Sequence, residues 1–453
     1  MPGLPNPVFQ RILTLLMPKG ITLGRRHIGE LSWLVGGQLG TLLLSLLTIK
    51  IITSVGPDDY GLFVLATSVS GLFLSGFFGP LEQGFVRKYF EYIFDPGTRY
   101  KYLGTITNIL GYSIGILAVI LVVAAVVAGS VTGLDARFLI PAAFLILTAV
   151  PSAPLAGMLN AMRLRKEVAI AQIGEKMMTL VLLAGLLMFN AVRIPEVMIC
   201  IAVSGAIWFA VRYTLYHRAV DSPISRARDA VTAGQKREMI GRISSYSLPF
   251  VAWGLVAWMQ INGERWVIGG MLTTADVGRY GLASTLINSS VVVAVSVVGQ
   301  YLTPIIFEKF SSSEPTSRSL AFSVVRRAAI LTFAMFCALG VALLLVGDVL
   351  IHLISTTDFI LEPELLFLLS VGWGMFYSGQ MMTNVGLGLQ QPNIYILPKI
   401  ITSILSVAGY ILGCLLAGIY GLVVSLALVN TLYLVWILLV NRTLRSSDTQ
   451  PGS

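Results

Sequence analysis

Long apolar runs alternate with short polar stretches along the whole chain. An α-helix rises about 1.5 Å per residue, so a run of about 20 apolar residues crosses a hydrocarbon core of about 30 Å. The pattern predicts an all-α polytopic membrane protein with about twelve transmembrane helices. The predicted spans are residues 31–52, 60–78, 102–128, 138–158, 168–189, 197–216, 248–271, 277–306, 328–346, 365–387, 396–416 and 422–440.

The composition agrees with this pattern, because 56% of the residues are hydrophobic and only 12% are charged. A water-soluble domain carries about 25% charged residues. Backbone groups inside a bilayer cannot bond to water, so the spans must be helices or strands of a closed barrel. The apolar runs are unbroken rather than alternating, which favours helices.

The sequence offers no pattern typical of a catalytic or metal site. Its three cysteines, Cys200, Cys337 and Cys414, lie singly in apolar runs and match neither a disulfide framework nor a metal-ligand spacing. It contains no glycine-rich phosphate loop and no Asp-x-Asp pair, and its histidines lie outside the predicted spans. We therefore expect a protein that is not an enzyme and that binds no metal or cofactor.

Lysine and arginine cluster in alternate connections between the spans, whereas the other connections carry mostly aspartate and glutamate. Positive residues are retained on the cytoplasmic side of a membrane, so both termini are predicted to be cytoplasmic. This asymmetry accounts for the net charge of +9 without a nucleic acid partner. We expect the lipid bilayer to be the surroundings of the chain.

A short internal repeat divides the spans into two sets. Asp59-Tyr60-Gly61 recurs at a constant offset as Asp276-Val277-Gly278, each time after the first span of a half. Six spans per half place both halves in the same orientation, which predicts two parallel six-helix bundles. Chance similarity is the alternative, because the match is short.

These features define the predicted domain boundaries. We expect an amphipathic cytoplasmic segment at residues 1–30, which includes a surface helix at 8–17, and an N-terminal six-helix bundle at 31–217. A basic cytoplasmic linker at 218–247, a C-terminal six-helix bundle at 248–440 and a cytoplasmic tail at 441–453 follow.

The seventh span is the richest in polar residues. Gln260 and Glu264 share one edge of the predicted helix, and Asn262 and Arg265 share another. Such residues usually face a bundle interior or a wet cavity, and Glu264, Gln260 and Asn262 are candidates for ion coupling. The alternatives are a structural Glu264–Arg265 pair and an arginine that extends to the interface.

Other charged residues also fall in or near the spans, and cations exceed anions among them. A cationic cavity suits a phosphate-bearing substrate, because charge-assisted hydrogen bonds replace the water lost on entry. Lys50 and Lys399 could instead extend to the membrane interface. Arg87 and Glu82 could instead belong to the basic cytoplasmic face. The candidates are Arg265, Lys50, Lys176, Lys399 and Arg279 for substrate binding, Glu175 beside Lys176 as a polar cavity residue, and Arg87 with Glu82 for an inner gate.

Several short motifs resemble one transporter family. Residues 264–270 (ERWVIGG), which lead into 275–280 (ADVGRY), resemble the outer end of span seven in polysaccharide flippases. Residues 55–61 (VGPDDYG) resemble the turn after span one, and 386–393 (GLGLQQPN) resemble the cytoplasmic turn between spans ten and eleven. The chain thus resembles the polysaccharide-transporter (Wzx-type, O-antigen flippase-like) branch of the multidrug/oligosaccharidyl-lipid/polysaccharide exporter superfamily.

That resemblance implies a V-shaped pair of six-helix bundles with alternating access. Its implied activity is outward movement of undecaprenyl-pyrophosphate-linked oligosaccharide repeat units for O-antigen, capsule or exopolysaccharide synthesis, coupled to a proton or sodium gradient. A polysaccharide polymerase and a chain-length regulator are the protein partners we expect.

Two other functions stay open. The same superfamily contains multidrug and cation antiporters, which commonly use an acidic residue in the first bundle, whereas the predicted first span has none. A non-transporting membrane scaffold of a glycan-assembly complex is the second alternative. Substitution of Arg265 would leave a scaffold working and disable a flippase.

Overall fold

The computed structural model describes residues 25–92, 96–133, 135–220, 232–311, 315–355, 357–359, 361–389 and 391–448, and its regular structure in these ranges is helical. A π-helical turn at Leu74–Phe78 joins α2 to α3, and three 3₁₀ turns cover Thr53–Val55, Thr357–Phe359 and Pro392–Tyr395. The helices are α1 Arg25–Ile52, α2 Pro57–Phe73, α3 Gly79–Tyr92, α4 Pro96–Thr132, α5 Ala136–Ala149, α6 Ser152–Ala161, α7 Arg165–Met188, α8 Ile194–Val220, α9 Ala233–Met271, α10 Thr274–Ser311, α11 Pro315–Ile354, α12 Pro363–Met382, α13 Asn384–Gly388 and α14 Ile396–Asp448.

Each predicted span falls on helical structure, so the prediction of an all-α multi-pass membrane protein is confirmed. Within the described ranges, nine helical segments are long and apolar enough to cross a membrane. The last segment contains predicted spans eleven and twelve, whereas α9 and α10, which contain spans seven and eight, are not among the nine. The count of twelve and the orientation of the termini stay predictions. The nine segments are Gly36–Val55, Pro57–Tyr92, Gly97–Val131, Ala136–Ala161, Arg165–Met188, Ile194–Ala219, Thr316–Ile354, Pro363–Gly388 and Asn393–Arg445.

Local sequence explains where several helices begin. Pro57 and Pro363 occupy the first turns of α2 and α12, where a residue without an N–H leaves no hydrogen bond unmade. The Asp135 carboxylate accepts a hydrogen bond of 3.0 Å from the Arg137 N–H at the start of α5. Thr232 and Gln235 form a reciprocal capping box at the start of α9.

The chain forms two compact units. Among the described residues, the larger unit contains Gly36–Gly281 and Ile351–Ile360, and the smaller unit contains 25–35, Leu282–Leu350 and 361–448. Helix α9 therefore packs with the first six predicted spans, although the sequence assigns it to the C-terminal bundle. The predicted two-bundle division stays a prediction. The surface helix at 8–17, linker residues 221–231 and tail residues 449–453 lie outside the described ranges.

The two copies of the sequence repeat contact each other in the larger unit. A Cβ placed on Gly61 would lie 2.0 Å from the Thr274 carbonyl oxygen, and one on Gly278 would lie 2.0 Å from the Pro57 carbonyl oxygen. The two contacts are reciprocal, because Pro57 and Thr274 are separated by the same sequence offset as Gly61 and Gly278. Only glycine permits this approach, because any side chain would overlap a backbone atom.

Helix α9 also packs closely along the second predicted span and α3. A Cβ on Gly254 would lie 1.7 Å from the Ser75 carbonyl oxygen, and one on Gly84 would lie 2.2 Å from the Ser247 hydroxyl. Small residues allow helix backbones to approach in this way where no hydrophobic effect drives association. The close packing fixes the position of the polar residues farther along α9.

In the smaller unit, α14 breaks at Ala417 and Gly418, between predicted spans eleven and twelve. Gly418 has φ +58°, a value that suits glycine because it has no Cβ. The two segments then meet directly, since a Cβ on Gly413 would lie 2.3 Å from the Gly421 carbonyl oxygen. The chain reverses here without a loop of any length.

Candidate substrate site

Glu264 and Arg265 lie inside the larger unit on α9. The Glu264 side chain is fully buried, and neither of its carboxylate oxygens has a hydrogen-bond partner. Its nearest cation is the Arg265 Nε, 4.0 Å from Oε1, at the limit of an ion pair. Arg265 is 17% exposed, and its Nε also lacks a hydrogen-bond partner. Both groups therefore retain capacity for further bonds, which buried polar groups normally use.

Two tryptophans fix this part of α9 against the second predicted span. The Trp258 indole N–H donates to the Ser68 carbonyl oxygen at 2.8 Å, and that of Trp266 donates to the Ser68 hydroxyl at 2.9 Å. Gln260 is buried and Asn262 is half-buried on the same helix. Helix α9 therefore holds Gln260 and Asn262, two of the residues predicted to line a cavity, beside the second predicted span.

An apolar pocket of about 300 Å³ lies beside this segment in the larger unit. Parts of the second, third and fourth predicted spans line it with alanines, larger aliphatic residues and Phe138, and Trp266 also contributes to the lining. A charged segment and an apolar pocket are thus adjacent in one unit.

A second buried charge cluster joins α7 and α8 in the larger unit. The Arg212 Nη2 donates to the Glu175 Oε2 at 2.6 Å, and the two side chains are 4% and 23% exposed. The Arg212 Nε and Nη1 have no hydrogen-bond partner. Glu175 therefore pairs with an arginine rather than with Lys176, which is half-buried.

Lys399 lies in the smaller unit and is 1% exposed. Its Nζ is 4.3 Å from the centre of the Phe376 ring and 5.1 Å from that of Tyr433. The ammonium has no hydrogen-bond partner. The Lys399 side chain therefore does not extend to the membrane interface, which was the alternative that the sequence left open for this residue. Two aromatic rings stabilise the cation only in part, because ring faces replace water incompletely.

The remaining candidates lie nearer the surface. Lys50 and Arg87 are exposed, and Glu82 is half-buried against Gly157, where a Cβ would lie 2.3 Å from the Glu82 Oε1. The Arg279 Nε donates to the Asp358 carbonyl oxygen at 2.9 Å, and its Nη1 lies 3.3 Å from the Asp276 carboxylate. These contacts tie α10 to the Thr357–Phe359 turn. Substrate-binding and gating roles for all four residues stay predictions.

Sequence reasoning missed Arg212 and the aromatic partners of Lys399. Arg212 lies inside the predicted sixth span, so its depth alone was a signal that could have identified it. Phe376 and Tyr433 lie on the tenth and twelfth predicted spans, and nothing in their local sequence separates them from other aromatic residues in spans.

Three cations in the predicted spans have donors that could bind an anion. Within the described ranges, no group of three or more histidine, cysteine, aspartate or glutamate side chains could hold a metal ion. Arg265, Arg212 and Lys399 are cations within predicted spans that have unused hydrogen-bond donors. A phosphate or carboxylate could accept hydrogen bonds from such donors.

No protein-family model matches the chain, and no curated protein matches it in sequence. Solved structures match it over nearly its whole length. An inward-facing multidrug resistance MATE family transporter of the MOP superfamily has TM-score 0.71 and 13% identity over 97% of this chain and 99% of that chain. The lipid II flippase MurJ, in an inward closed conformation, has TM-score 0.66 and 12% identity over 90% and 86% of the two chains.

A third match is a MOP superfamily transporter from Pyrococcus furiosus, described by the reverse polarity of its binding pocket. It has TM-score 0.60 and 13% identity over 93% of this chain and 96% of that chain. At such identities the likeness establishes the fold. The chain has the helical fold of MOP-superfamily transporters.

Proposed function

We propose that this chain is a flippase of a bacterial inner membrane. It moves undecaprenyl-pyrophosphate-linked oligosaccharide repeat units from the cytoplasmic to the outer leaflet by alternating access, for synthesis of a surface polysaccharide. A proton or sodium gradient drives the cycle, and a polymerase and a chain-length regulator act beside it. The observation that supports this proposal best is the set of buried and half-buried cations with unused donors inside predicted spans: Arg212, Lys399 and Arg265.

Burying a cation in a membrane costs several kcal/mol unless water or an anion compensates it. Arg212 has Glu175 as its partner, and Arg265 has only the distant Glu264 carboxylate. Lys399 has aromatic rings and no hydrogen-bond partner. A mobile anion that visits these groups during transport accounts for their unused donors, and a pyrophosphate carries several acceptor oxygens.

Arg265 is the residue we assign to pyrophosphate recognition, helped by Lys50, Lys176 and Lys399. Its planar guanidinium grips a phosphate with two parallel hydrogen bonds. The apolar pocket beside α9 suits the polyprenyl chain of the same substrate, because its lining offers almost no polar group. One of the matching structures is a lipid II flippase by name.

Cation antiport is the second candidate, and Glu264 favours it. A fully buried carboxylate without a hydrogen-bond partner can bind a proton or a cation. Two of the matching structures are multidrug resistance transporters by name. Energised vesicles that extrude organic cations in a Glu264-dependent manner, with no effect on lipid-linked glycans, would select this candidate.

Substitution of Arg265 tests the flippase proposal. We expect Arg265→Ala to abolish export and Arg265→Lys, which keeps the charge but loses the two-bond grip, to retain part of it. Arg137→Ala is the matched control, because the Arg137 side chain is 91% exposed at the start of α5. The measurement is the amount of lipid-linked glycan in the inner leaflet, scored beside protein abundance in the membrane.

Two outcomes would return Arg265 to a structural role. One is a normal surface glycan in the Arg265→Ala variant. The other is a loss of export in proportion to a loss of protein from the membrane. A loss of export at normal abundance, with the Arg137→Ala control unaffected, supports the proposal.

A further inference from the structure

A pocket of about 290 Å³ lies in the smaller unit, apart from the buried cations described above. It is formed where the first turns of α11 meet the end of α12 and the last turns of α14. Arg326, Arg442 and Arg445 line it, and none of its lining residues is acidic. All three arginines are exposed rather than buried.

The wall that presents these arginines is rigid. Arg442 and Arg445 are three residues apart on α14, so they share one face of the helix. Asn441, also in the lining, is buried, and its amide donates to the Met382 carbonyl oxygen at 2.9 Å. The Tyr395 hydroxyl donates to the Asn441 amide oxygen from the other side. These bonds hold the end of α14 against α12.

The pocket has an apolar part as well as a cationic rim. Phe322, Met382 and Leu438 contribute to its lining together with the hydroxyls of Ser319 and Ser323. A small soluble anion needs no apolar surface, whereas a phospholipid presents a phosphate next to hydrocarbon. The mixed lining therefore fits a lipid headgroup better than a free ion.

The arginines also lie at the depth of a headgroup. Arg326 precedes the predicted ninth span, residues 328–346, and Arg442 and Arg445 follow the predicted twelfth span, residues 422–440. The loop charges predict this edge to be cytoplasmic. Basic pockets between transmembrane helices on that side bind anionic lipid headgroups.

We propose that this pocket binds the phosphate of an anionic phospholipid of the cytoplasmic leaflet. Arg442 and Arg326 grip the phosphate oxygens from two helices, and Arg445 adds long-range attraction. The serine hydroxyls and the apolar wall accommodate the glycerol and the first part of an acyl chain. The site is separate from the proposed transport of glycans and does not rest on it.

The test measures lipid binding to the purified full-length chain in phosphatidylcholine nanodiscs that contain phosphatidylglycerol as the probe. Native mass spectrometry counts the phosphatidylglycerol retained per protein. The test variant is Arg326→Gln/Arg442→Gln/Arg445→Gln. The control is Arg218→Gln/Arg237→Gln/Arg327→Gln, which removes the same charge from three exposed arginines outside the pocket.

We expect each pocket arginine to contribute about five-fold to phosphatidylglycerol affinity, so the test variant should lose on the order of a hundred-fold. The control should lose only the phosphatidylglycerol affinity that a lower net charge removes at any surface. Arg442→Lys should bind with an intermediate affinity, since it keeps charge without the fork, and it covers the case in which the triple variant fails to fold.

Inorganic phosphate in nanodiscs of phosphatidylcholine alone distinguishes the source of the anion. If inorganic phosphate binds as tightly as phosphatidylglycerol, and with the same dependence on the three arginines, the site takes a soluble phosphate and the lipid assignment is overturned. If the test variant and the control retain equal phosphatidylglycerol, the pocket is not a phosphate site.

Discussion

Gly61 and Gly278 lie against each other, and the backbone at each glycine occupies the space that a Cβ on the other glycine would need. A Cβ on Gly61 would also lie 3.1 Å from the Gly278 nitrogen, and one on Gly278 would lie 3.2 Å from the Gly61 nitrogen. The same relation recurs one turn later, where a Cβ on Gly281 would lie 2.7 Å from Val64, at the same sequence offset. These contacts therefore join positions that lie at the offset of the sequence repeat.

This contact predicts that Gly61→Ala and Gly278→Ala destabilise the protein. Overpacking of a close contact costs about 1–3 kcal/mol, and here the added methyl group meets backbone rather than a side chain that can move. Gly270→Ala is the control, because nothing lies within 4 Å of a Cβ at that position. Thermal unfolding of the purified variants measures the effect. Equal midpoints for Gly61→Ala and Gly270→Ala would show that the helices separate at no cost.

The Glu175–Arg212 pair predicts a second stability effect. Removal of one partner leaves a buried charge uncompensated, so Glu175→Gln should destabilise the protein by about 3 kcal/mol. Glu175→Gln/Arg212→Met should recover most of this loss, because no buried charge remains. Glu238→Gln, which breaks an exposed pair with Arg242, is the control and should have no measurable effect. A double variant less stable than Glu175→Gln alone would contradict this account.

We expect substitution of Lys399 to have opposite effects on stability and on export. Contacts with aromatic rings contribute about 2 kcal/mol when desolvated, which is less than the cost of removing an ammonium from water. Lys399→Met should therefore leave the unfolding midpoint unchanged or raise it, and should impair export. Accumulation of lipid-linked glycan and thermal unfolding, measured on the same variant, check the two expectations. A destabilised variant with normal export would assign Lys399 a structural role.

Predicted orientation can be tested by cysteine labelling in a background without the three native cysteines. A cysteine at Asp358 should react with an impermeant reagent in intact cells, and one at Arg237 should react only after permeabilisation. Both positions are exposed in the structure. Labelling of Arg237→Cys in intact cells would reverse the predicted topology.

The sequence predicted those features that depend on neighbours along the chain. Span lengths follow from local hydropathy, and the glycines of the repeat are identifiable because both copies keep them at one offset. Pairing between distant residues was not predictable in the same way. Glu175 and Arg212 are 37 residues apart, and either could have faced lipid, water or another helix. The packing of α9 with the first spans depends on glycine contacts whose partners lie far away in sequence.

The direct reversal of α14 at Gly418 has a consequence for protein engineering. Where a loop joins two helices, an inserted epitope usually extends into solvent and leaves the helices in place. Here Gly413 and Gly421 touch across the turn, so inserted residues would have to separate two backbones already in contact. Insertion scanning of the gene should therefore find this junction intolerant, although it lies at the end of two spans where tags are commonly placed.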